Sequence, residues 1–245
     1  MRTYYPIRIL SSIVSESISG FKDMLFPQVC VCCGMSMQPD SGMLCPFCEE
    51  SGFDPAIGSD DMNCPGVILP EGVLFQYAHW KYDKGGNLQR ILHLIKYGGL
   101  GSLGQELGVL SGVGFKKTKI WTEQHPQQDG YLLAVPLHNR KRRIRGYNQA
   151  ELIAQGVSES TGIMLLDKEV VQRTRFTATQ TGHDLKGRMN NLADAFVVRE
   201  PEKIHGKLVI IVDDVFTTGA TVYSLAGTLL KSGAASVGII TIAFA

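Results

Sequence analysis

The chain has 245 residues, of which 44% are hydrophobic and 19% charged, and its formal net charge is +1. This composition is typical of a soluble globular protein with one large domain, or with one domain of about 150–200 residues and a small appendage. A net charge near zero argues against a protein that coats nucleic acid with its whole surface, although it leaves room for local charged patches. No run approaches the roughly 18 apolar residues of a transmembrane helix. We therefore expect a cytoplasmic protein with no membrane span.

The N-terminal segment, residues 1–27, predicts an amphipathic helix. Serines and Glu16 interrupt its apolar residues, so it lacks the compact apolar core of a signal peptide. The helix either packs against the rest of the fold or binds a membrane surface. The apolar positions at helical spacing are Ile9, Leu10, Ile13, Val14, Ile18, Phe21 and Leu25.

Residues 28–70 are rich in Cys, Gly, Pro, Ser and Asp and show little periodicity, so they need a cross-link, such as a metal ion or disulfides, to hold a fixed shape. Clustered cysteines in a chain of this kind indicate metal ligation rather than disulfides. Two Cys-x2-Cys pairs, eleven residues apart, have the spacing that encloses one tetrahedral zinc ion with no open position, a structural site. The predicted Zn²⁺ ligands are Cys30, Cys33, Cys45 and Cys48.

Three cysteine questions stay open at this point. Cys32 competes with Cys33 as the second ligand, although the two-residue spacing favours Cys33. Free thiols are the alternative to the whole site. Cys64 stands alone in its stretch, and a single cysteine gives no basis for a second metal site.

Residues 71–245 predict an α/β domain, because apolar strand-like runs alternate with helical patterns. Such alternation is typical of right-handed βαβ crossovers and a parallel sheet flanked by helices. The predicted strands cover residues 73–82, 131–137, 207–214 and 236–245, and the predicted helices cover 87–99, 148–161 and 223–233.

The stretch "KLVIIVDDVFTTGAT" places Asp213 and Asp214 at the carboxyl end of a buried strand. Ligands of open parallel sheets bind outside this edge. Small residues and hydroxyls before a helix favour an anion, so the acids and the loop together suit a ribose phosphate. The plain alternative is a strand–turn–helix corner with an Asp cap. The predicted phosphate-binding residues are Thr217, Thr218, Gly219, Ala220 and Thr221.

The stretch "VPLHNRKRRIRGYNQAELIA" predicts a basic loop between a strand and a helix, at the same edge of the sheet. Cations at that edge suit a polyanionic group on the same ligand, such as a pyrophosphate, and contact with the phosphates of DNA or RNA is the rival interpretation. A polar segment over residues 172–198 is either an active-site flap or a solvated connector. The candidate pyrophosphate residues are Arg140, Lys141, Arg142, Arg143 and Arg145.

The stretch "VIIVDDVFTTGAT" resembles the loop by which type I phosphoribosyltransferases bind phosphoribosyl pyrophosphate (PRPP). The resemblance implies that Asp213 and Asp214 are the catalytic acids that hold the ribose hydroxyls, and that residues 217–221 hold the 5′-phosphate. It also implies Mg²⁺ as the ion that accompanies PRPP.

The chain as a whole resembles the ComF family, which is also described as GntX-like. The matching stretches, in order, are "FPQVCVCCG…LCPFCEE", "LIKYGG", "VPLHNRKRRIRGYNQAELIA", "RTRFTATQTGHDLKGRMNNLADAF", the PRPP loop and "TIAFA". The resemblance implies a zinc finger fused to a type I phosphoribosyltransferase domain, and a role in uptake or processing of single-stranded DNA during natural competence. The partners it implies are PRPP, single-stranded DNA, and a competence helicase or other DNA-processing proteins.

Two functions fit these features. One is a phosphoribosyltransferase, a pentosyl-transferring enzyme of unidentified acceptor. The other is a non-catalytic module that binds single-stranded DNA or a nucleotide regulator through the same phosphate site. The chain stops on its last strand at Ala245, which would leave base recognition to residues 71–100 and 172–198 and slightly favours the module.

Overall fold

The computed structural model describes residues 27–38, 41–58, 60–174 and 195–245. The chain divides into two compact units, Met1–Gly52 and Phe53–Ala245. The division thus falls nearer the N-terminus than residue 71, where the sequence places the start of the α/β domain. The predicted N-terminal helix, apart from its last residue, lies outside the described residues, and so does most of the predicted flap.

The described part of the first unit consists of a tight turn and a short helix. The backbone amide of Gly34 donates to the carbonyl of Cys30 over 2.9 Å, and Gly34 adopts a positive φ of 75°. Glycine is favoured there because other residues are strained in the left-handed region. Helix α1 (Pro46–Ser51) begins directly after Cys45, with proline in its first turn, where no backbone N–H is needed.

The second unit consists of a five-stranded parallel sheet flanked by helices and a small antiparallel pair of strands. The strands are β1 (Val73–Lys81), β2 (Gly130–Ala134), β3 (Met164–Leu165), β4 (Val171–Arg173), β5 (Phe196–Val198), β6 (Leu208–Phe216) and β7 (Ser236–Phe244). The helices are α2 (Asn87–Tyr97), α3 (Gly101–Phe115), α4 (Lys119–Gln124), α5 (Pro126–Asp129), α6 (Asn139–Arg145), α7 (Gln149–Thr161) and α8 (Ala220–Lys231), with a 3-10 turn at Pro201–Lys203. Within the described ranges, no helix has both the length and the apolar character needed to cross a bilayer.

The sheet order is β1-β7-β6-β2-β3, and every neighbouring pair is parallel. The central strand β6 is buried from Val209 to Val212, as an apolar run in a parallel sheet should be. The register sets Ala134, the last residue of β2, opposite Val212. The segment after β2 therefore leaves the sheet beside Asp213 and Asp214. The α/β fold class with a parallel sheet, predicted from the sequence, is confirmed.

Residues 53–70 belong to the second unit and run along the edge strand β1. Asn63 forms a parallel bridge with Gln76, and the side chain of Gln76 accepts a hydrogen bond from the backbone of Cys64 over 3.2 Å. Cys64 is fully buried in a small apolar cluster. Burial raises the pKa of its thiol to about 11. Cys64 is therefore a core residue of the α/β unit.

Helix α3 is absent from the predictions because its sequence, "GSLGQELGVLSGVGF", is rich in glycine, a poor helix former. Its glycines allow close packing on α7. A Cβ at Gly108 would overlap the carbonyl of Ile153, and a Cβ at Gly156 would overlap the carbonyl of Gln105. The two helix backbones therefore touch, and this contact supplies the stability that local propensity does not.

Candidate functional site

The two acids are the sixth and seventh of the nine residues of β6, and the strand continues to Phe216 rather than ending at Asp214 as predicted. Asp213 is partly exposed, and its Oδ1 accepts a hydrogen bond from the backbone of Asp214 over 2.9 Å. The Asp214 side chain is only 8% exposed. Asp214 is thus the more deeply buried of the two acids, and neither carboxylate is fully exposed.

Lys96, in the last turn of α2, forms an ion pair with the buried Asp214 carboxylate. Burial by itself would lower the pKa of Lys96, but attraction to Asp214 outweighs it and raises the pKa. The sequence predictions give Lys96 no role. The sign of Lys96 in the sequence is a single cation next to the apolar residues of α2, within the stretch "LIKYGG" that is part of the family resemblance.

The carboxyl of Asp213 is hard to ionise in this setting. Burial and repulsion by the Asp214 carboxylate raise the pKa of Asp213 to about 8. A cation placed against the pair would remove that penalty, since an opposite charge favours the ionised form. The two acids are therefore a site at which a hydroxyl-rich or cation-carrying ligand would gain binding energy.

The loop after β6 is three residues long and leads directly into α8. Thr217 and Thr218 are exposed, and the Thr218 hydroxyl accepts from the backbone of Ala220 over 3.5 Å. Gly219 has a φ of 71°, and a Cβ there would lie 2.9 Å from the ring of Phe216. Only glycine fits this corner. Ala220 and Thr221 form the first turn of a twelve-residue helix, whose N-terminal amides favour an anion.

The basic segment after β2 forms the helix α6, where the sequence predicts a loop. Arginine and lysine are good helix formers, and the segment carries its own caps. His138 accepts from the backbone of Arg140 over 3.2 Å at the start, and Gly146 ends the helix with a φ of 82°. The next helix, α7, begins at Asn148, whose side chain accepts from Ala150 and donates to Val135. The basic side chains are thereby fixed in helical phase.

Helical phase separates the five predicted pyrophosphate residues. Lys141 and Arg145, one turn apart, lie within electrostatic reach of Lys96: burial lowers the pKa of Lys141, and repulsion from Arg173 and Arg145 lowers it further. Arg142 points elsewhere and pairs with Glu151 over 3.4 Å. The remaining two, Arg140 and Arg143, are exposed.

Arg145 also contacts an aromatic side chain of α2. Its guanidinium lies 5.0 Å from the centre of the Tyr97 ring and donates to the Tyr97 hydroxyl over 3.2 Å. The His93 ring lies 4.8 Å from that of Tyr97. Arg145 donates as well to Gln149 over 2.7 Å. These contacts hold the guanidinium beside α2, the helix that also carries Lys96.

Arg173, at the end of β4, is a further cation near the acids. Burial lowers the pKa of its guanidinium, and the Asp213 carboxylate opposes that effect. Its guanidinium lies 5.4 Å from the centre of the Phe196 ring on β5. Of the predicted flap, only this end and residues 195–198 are described. The sequence could not assign Arg173 because it shares its stretch with other arginines and lysines.

The four predicted zinc ligands form one cluster in the first unit. The sulfurs of Cys30, Cys33, Cys45 and Cys48 all lie within 4.8 Å of one another, with 3.7 Å between Cys33 and Cys45. Four sulfurs about 2.3 Å from a central zinc would be about 3.8 Å apart, so the cluster fits a tetrahedral ion.

The thiols of this cluster differ in ease of ionisation. Burial raises the pKa of Cys30, but backbone hydrogen bonds from Cys33 and Cys45 overcome it and lower the pKa to about 6. Burial raises the pKa of Cys48. Four thiolates held this close repel one another, so full ionisation requires a cation. Cys33, rather than Cys32, completes the cluster among the described residues.

Comparisons with known proteins find relatives that are named for DNA utilization or for competence. The chain is 42% identical over 108 residues to the DNA utilization protein YhgH of Escherichia coli (strain K12), and the match covers 44% of this chain and 46% of that protein. It is 37% identical over 103 residues to competence protein F of Haemophilus influenzae, covering 42% and 44%. The chain is homologous to these proteins named for DNA utilization and competence. Its 22% identity to competence protein ComFC of Bacillus subtilis extends over 218 residues, 88% of this chain and 83% of that protein.

The match spans about half of the length of these two relatives, 46% and 44%. No model of a protein family matches the chain. A solved structure of the allosteric regulatory enzyme of purine biosynthesis has a TM-score of 0.37 and 16% identity, over 57% of this chain and 26% of that chain. A similarity this low carries no argument about function.

Proposed function

We propose that the second unit binds PRPP with Mg²⁺ and acts as a phosphoribosyltransferase in the processing of DNA. The observation that carries the proposal is the acid pair Asp213 and Asp214, followed directly by a hydroxyl-bearing loop at the start of α8. The names of the relatives, which refer to competence and DNA utilization, support the cellular role. We expect this role to be cytoplasmic.

The 5′-phosphate would bind at the loop and the first turn of α8. Thr217, Thr218 and Thr221 offer hydroxyl donors, and Gly219 and Ala220 leave space for the backbone amides to approach the anion. The positive end of a twelve-residue helix adds to the attraction.

The ribose hydroxyls would bind to the carboxylates of Asp213 and Asp214. Paired carboxylates also suit Mg²⁺, which prefers hard oxygen ligands and retains water. The raised pKa of Asp213 supports this fit, because the pair lacks the positive charge that would keep both acids ionised. When bound, Mg²⁺ would supply positive charge to the pyrophosphate oxygens. Lys96 holds Asp214 in place meanwhile.

The pyrophosphate would bind to Lys141, Arg145 and Arg173, cations that interact electrostatically with Lys96 or with Asp213. Arg142, which the sequence predicts as a pyrophosphate ligand, is left out of this set because it pairs with Glu151. In the reaction, a nitrogen of the acceptor bonds to C1 of the ribose as the bond from C1 to pyrophosphate breaks. Pyrophosphate leaves with the bonding electrons, and the acceptor's proton passes to solvent. The cations stabilise the charge that develops on the leaving group.

The first unit would bind one structural Zn²⁺ through its four clustered cysteines. Four thiolates complete the tetrahedral coordination and leave no position for a substrate. The described part of this unit is small, so the metal would supply stability that a hydrophobic core supplies elsewhere.

Titration calorimetry with Mg-PRPP tests the proposal. We expect binding by the wild-type protein, and at least about tenfold weaker binding by Asp213→Asn and Thr218→Val, since each removes a contact to the ligand. Thr122→Val, on the exposed face of α4, is the matched control and should bind like wild type. Absence of binding by the wild-type protein would refute the proposal.

A second candidate function is binding of single-stranded DNA without catalysis, alone or with a competence helicase or another DNA-processing protein. The observation that favours it is the outer surface of α6, where Arg140, Arg143 and the 73% exposed Ile144 lie together. Cations with an apolar side chain suit a nucleic-acid strand. Replacing both arginines by alanine should reduce the magnitude of the slope of log affinity against log salt by about 1.4, or about 0.7 for each lost phosphate contact. An unchanged slope and affinity would reject this candidate.

A further inference from the structure

The four clustered cysteines of the first unit differ in their access to solvent. Cys30, Cys45 and Cys48 are 2%, 2% and 3% exposed, whereas Cys33 is exposed. Of these four residues, Cys33 is therefore the one that a small molecule in solution can reach. None of the roles proposed above uses this difference.

The exposure of Cys33 follows from its place in the tight turn. The amide of Gly34 closes the turn on the carbonyl of Cys30, and a Cβ placed on Gly34 would meet no atom within 4 Å. The turn thus faces open space. Cys45, by contrast, follows the fully buried Leu44 and directly precedes α1. The local chain geometry therefore keeps Cys45 inside and Cys33 at the surface.

Access governs the reactivity of these sulfurs once a zinc ion is bound. A cysteine that ligates zinc is held as the thiolate. Oxidation of cysteines by small oxidants follows thiolate character and exposure. Because the metal gives all four sulfurs thiolate character, exposure becomes the main difference among them, and it favours Cys33.

A second sulfur lies close enough to complete the oxidation. The sulfurs of Cys33 and Cys45 are 3.7 Å apart. A shift of about 1.7 Å would bring them to the roughly 2.05 Å of a disulfide bond. Cys30 is another candidate, but its sulfur already accepts a hydrogen bond from the backbone amide of Cys45 over 3.3 Å. The geometry therefore favours Cys45 as the partner of Cys33.

We propose that Cys33 is an oxidation site at which small peroxides open the cysteine cluster, with Cys45 as the resolving thiol. This inference rests on the proposed zinc site. The Cys33 thiolate attacks one peroxide oxygen and the O–O bond breaks. Cys33 becomes a sulfenic acid, and the leaving oxygen takes up a proton and departs as water.

The second step joins the two cysteines. The Cys45 thiolate attacks the sulfur of the sulfenic acid, the S–S bond forms, and the S–O bond breaks. The departing hydroxide takes a proton from solvent and becomes water. The two sulfurs together lose two electrons, which reduce one peroxide to two water molecules. The zinc ion loses two of its four ligands and is released.

The order of chemical labelling tests the inference on the zinc-loaded full chain. The protein is treated with limiting iodoacetamide and mapped by peptide mass spectrometry. Among molecules that carry a single label on a zinc ligand, we expect Cys33 to hold it at least about tenfold more often than any other ligand. Equal labelling of the four ligands would overturn the inference.

Oxidation with hydrogen peroxide identifies the resolving thiol. We expect zinc release, measured with a chromophoric chelator, to rise together with a disulfide between Cys33 and Cys45 in the peptide map. A different first disulfide would overturn the assignment of Cys45.

Two variants connect the release of zinc to the exposed thiolate. Cys33→His keeps a four-ligand site, because histidine also binds zinc, and should release the metal to peroxide at least about tenfold more slowly. Cys32→Ser is the matched control: it removes the neighbouring buried thiol, which lies outside the cluster, and should release zinc at the wild-type rate. Equally fast release from Cys33→His and wild type would reject the inference.

The two proposals fail in different ways. If Cys33→His does not hold zinc, the labelling order in the wild-type protein decides the inference. A wild-type protein without zinc would refute the proposed zinc site itself, whereas a zinc-loaded protein with another labelling order would refute only the role of Cys33.

Discussion

The ammonium of Lys96 and the carboxylate of Asp214 form an ion pair between the end of α2 and the central strand β6. Lys96 is 26% exposed and Asp214 is 8% exposed. The pair is thus largely shielded from water. In such a low-dielectric setting charge–charge contacts are strong and an unpaired charge is costly.

Replacement of this lysine should destabilise the protein. Lys96→Met leaves Asp214 buried beside Asp213 without its cation, and we expect a loss of about 2–3 kcal/mol in the free energy of unfolding, measured in urea at neutral pH. Lys84→Met, at an exposed position, is the control and should change stability by less than about 0.5 kcal/mol. Equal stability of the two variants would contradict the role of the pair.

Asp213 should make stability depend on pH. Its pKa is raised from an ordinary value of 3.8 to about 8 in the folded protein, so the folded state holds this proton more tightly than the unfolded chain. Its contribution is therefore full below pH 4 and is lost as the pH rises through about 8. Without Mg²⁺, thermal unfolding between pH 5 and about 9 should show this decline, and Asp213→Asn should flatten it. Parallel curves for the two proteins would be inconsistent with the raised pKa.

Two glycines with similar backbone angles should respond differently to alanine. Gly219 and Gly206 have φ values of 71° and 68°, but only at Gly219 would a Cβ meet neighbouring side chains. Gly206→Ala should cost about 1 kcal/mol from the backbone alone, and Gly219→Ala about 1–2 kcal/mol more. Mg-PRPP affinity should fall in Gly219→Ala only. A similar loss in both variants would show that the contacts at Gly219 do not matter.

The cysteine cluster makes a prediction about metal content. Wild-type protein and Cys32→Ser should each hold about one zinc per chain by elemental analysis, whereas Cys33→Ser should hold markedly less, because three thiolates bind zinc more weakly than four. Zinc lost equally from both variants would place Cys32 among the ligands.

Local patterns in the sequence were enough to predict the parallel sheet and the cysteine cluster. The spacing of the two Cys-x2-Cys pairs and the apolar run of β6 each lie within a short stretch, where chain geometry fixes what lies near what. The acid pair and its loop are equally local, so their adjacency follows from the sequence alone.

Contacts between residues that are distant in the sequence could not be predicted from local patterns. Lys96 lies 118 positions before Asp214 and meets it only through the fold. The separation of Lys141 and Arg145 from Arg142 depends on helical phase, which a segment interpreted as a loop does not have. Helix α3 is stabilised by contact with α7, so its local sequence gives little sign of it.

The glycine contacts between α3 and α7 also connect the cations of the site mechanically. Lys96 ends the helix just before α3, and Arg145 lies just before α7, with the Tyr147 hydroxyl donating to the carbonyl of Ile95. Helices whose backbones touch cannot slide without collision. Lys96 and Arg145 therefore lie next to helices whose relative position is fixed by backbone contact, whereas Arg173 lies on the separate β4–β5 pair. We expect any adjustment to ligands of different size to occur on the β4–β5 side.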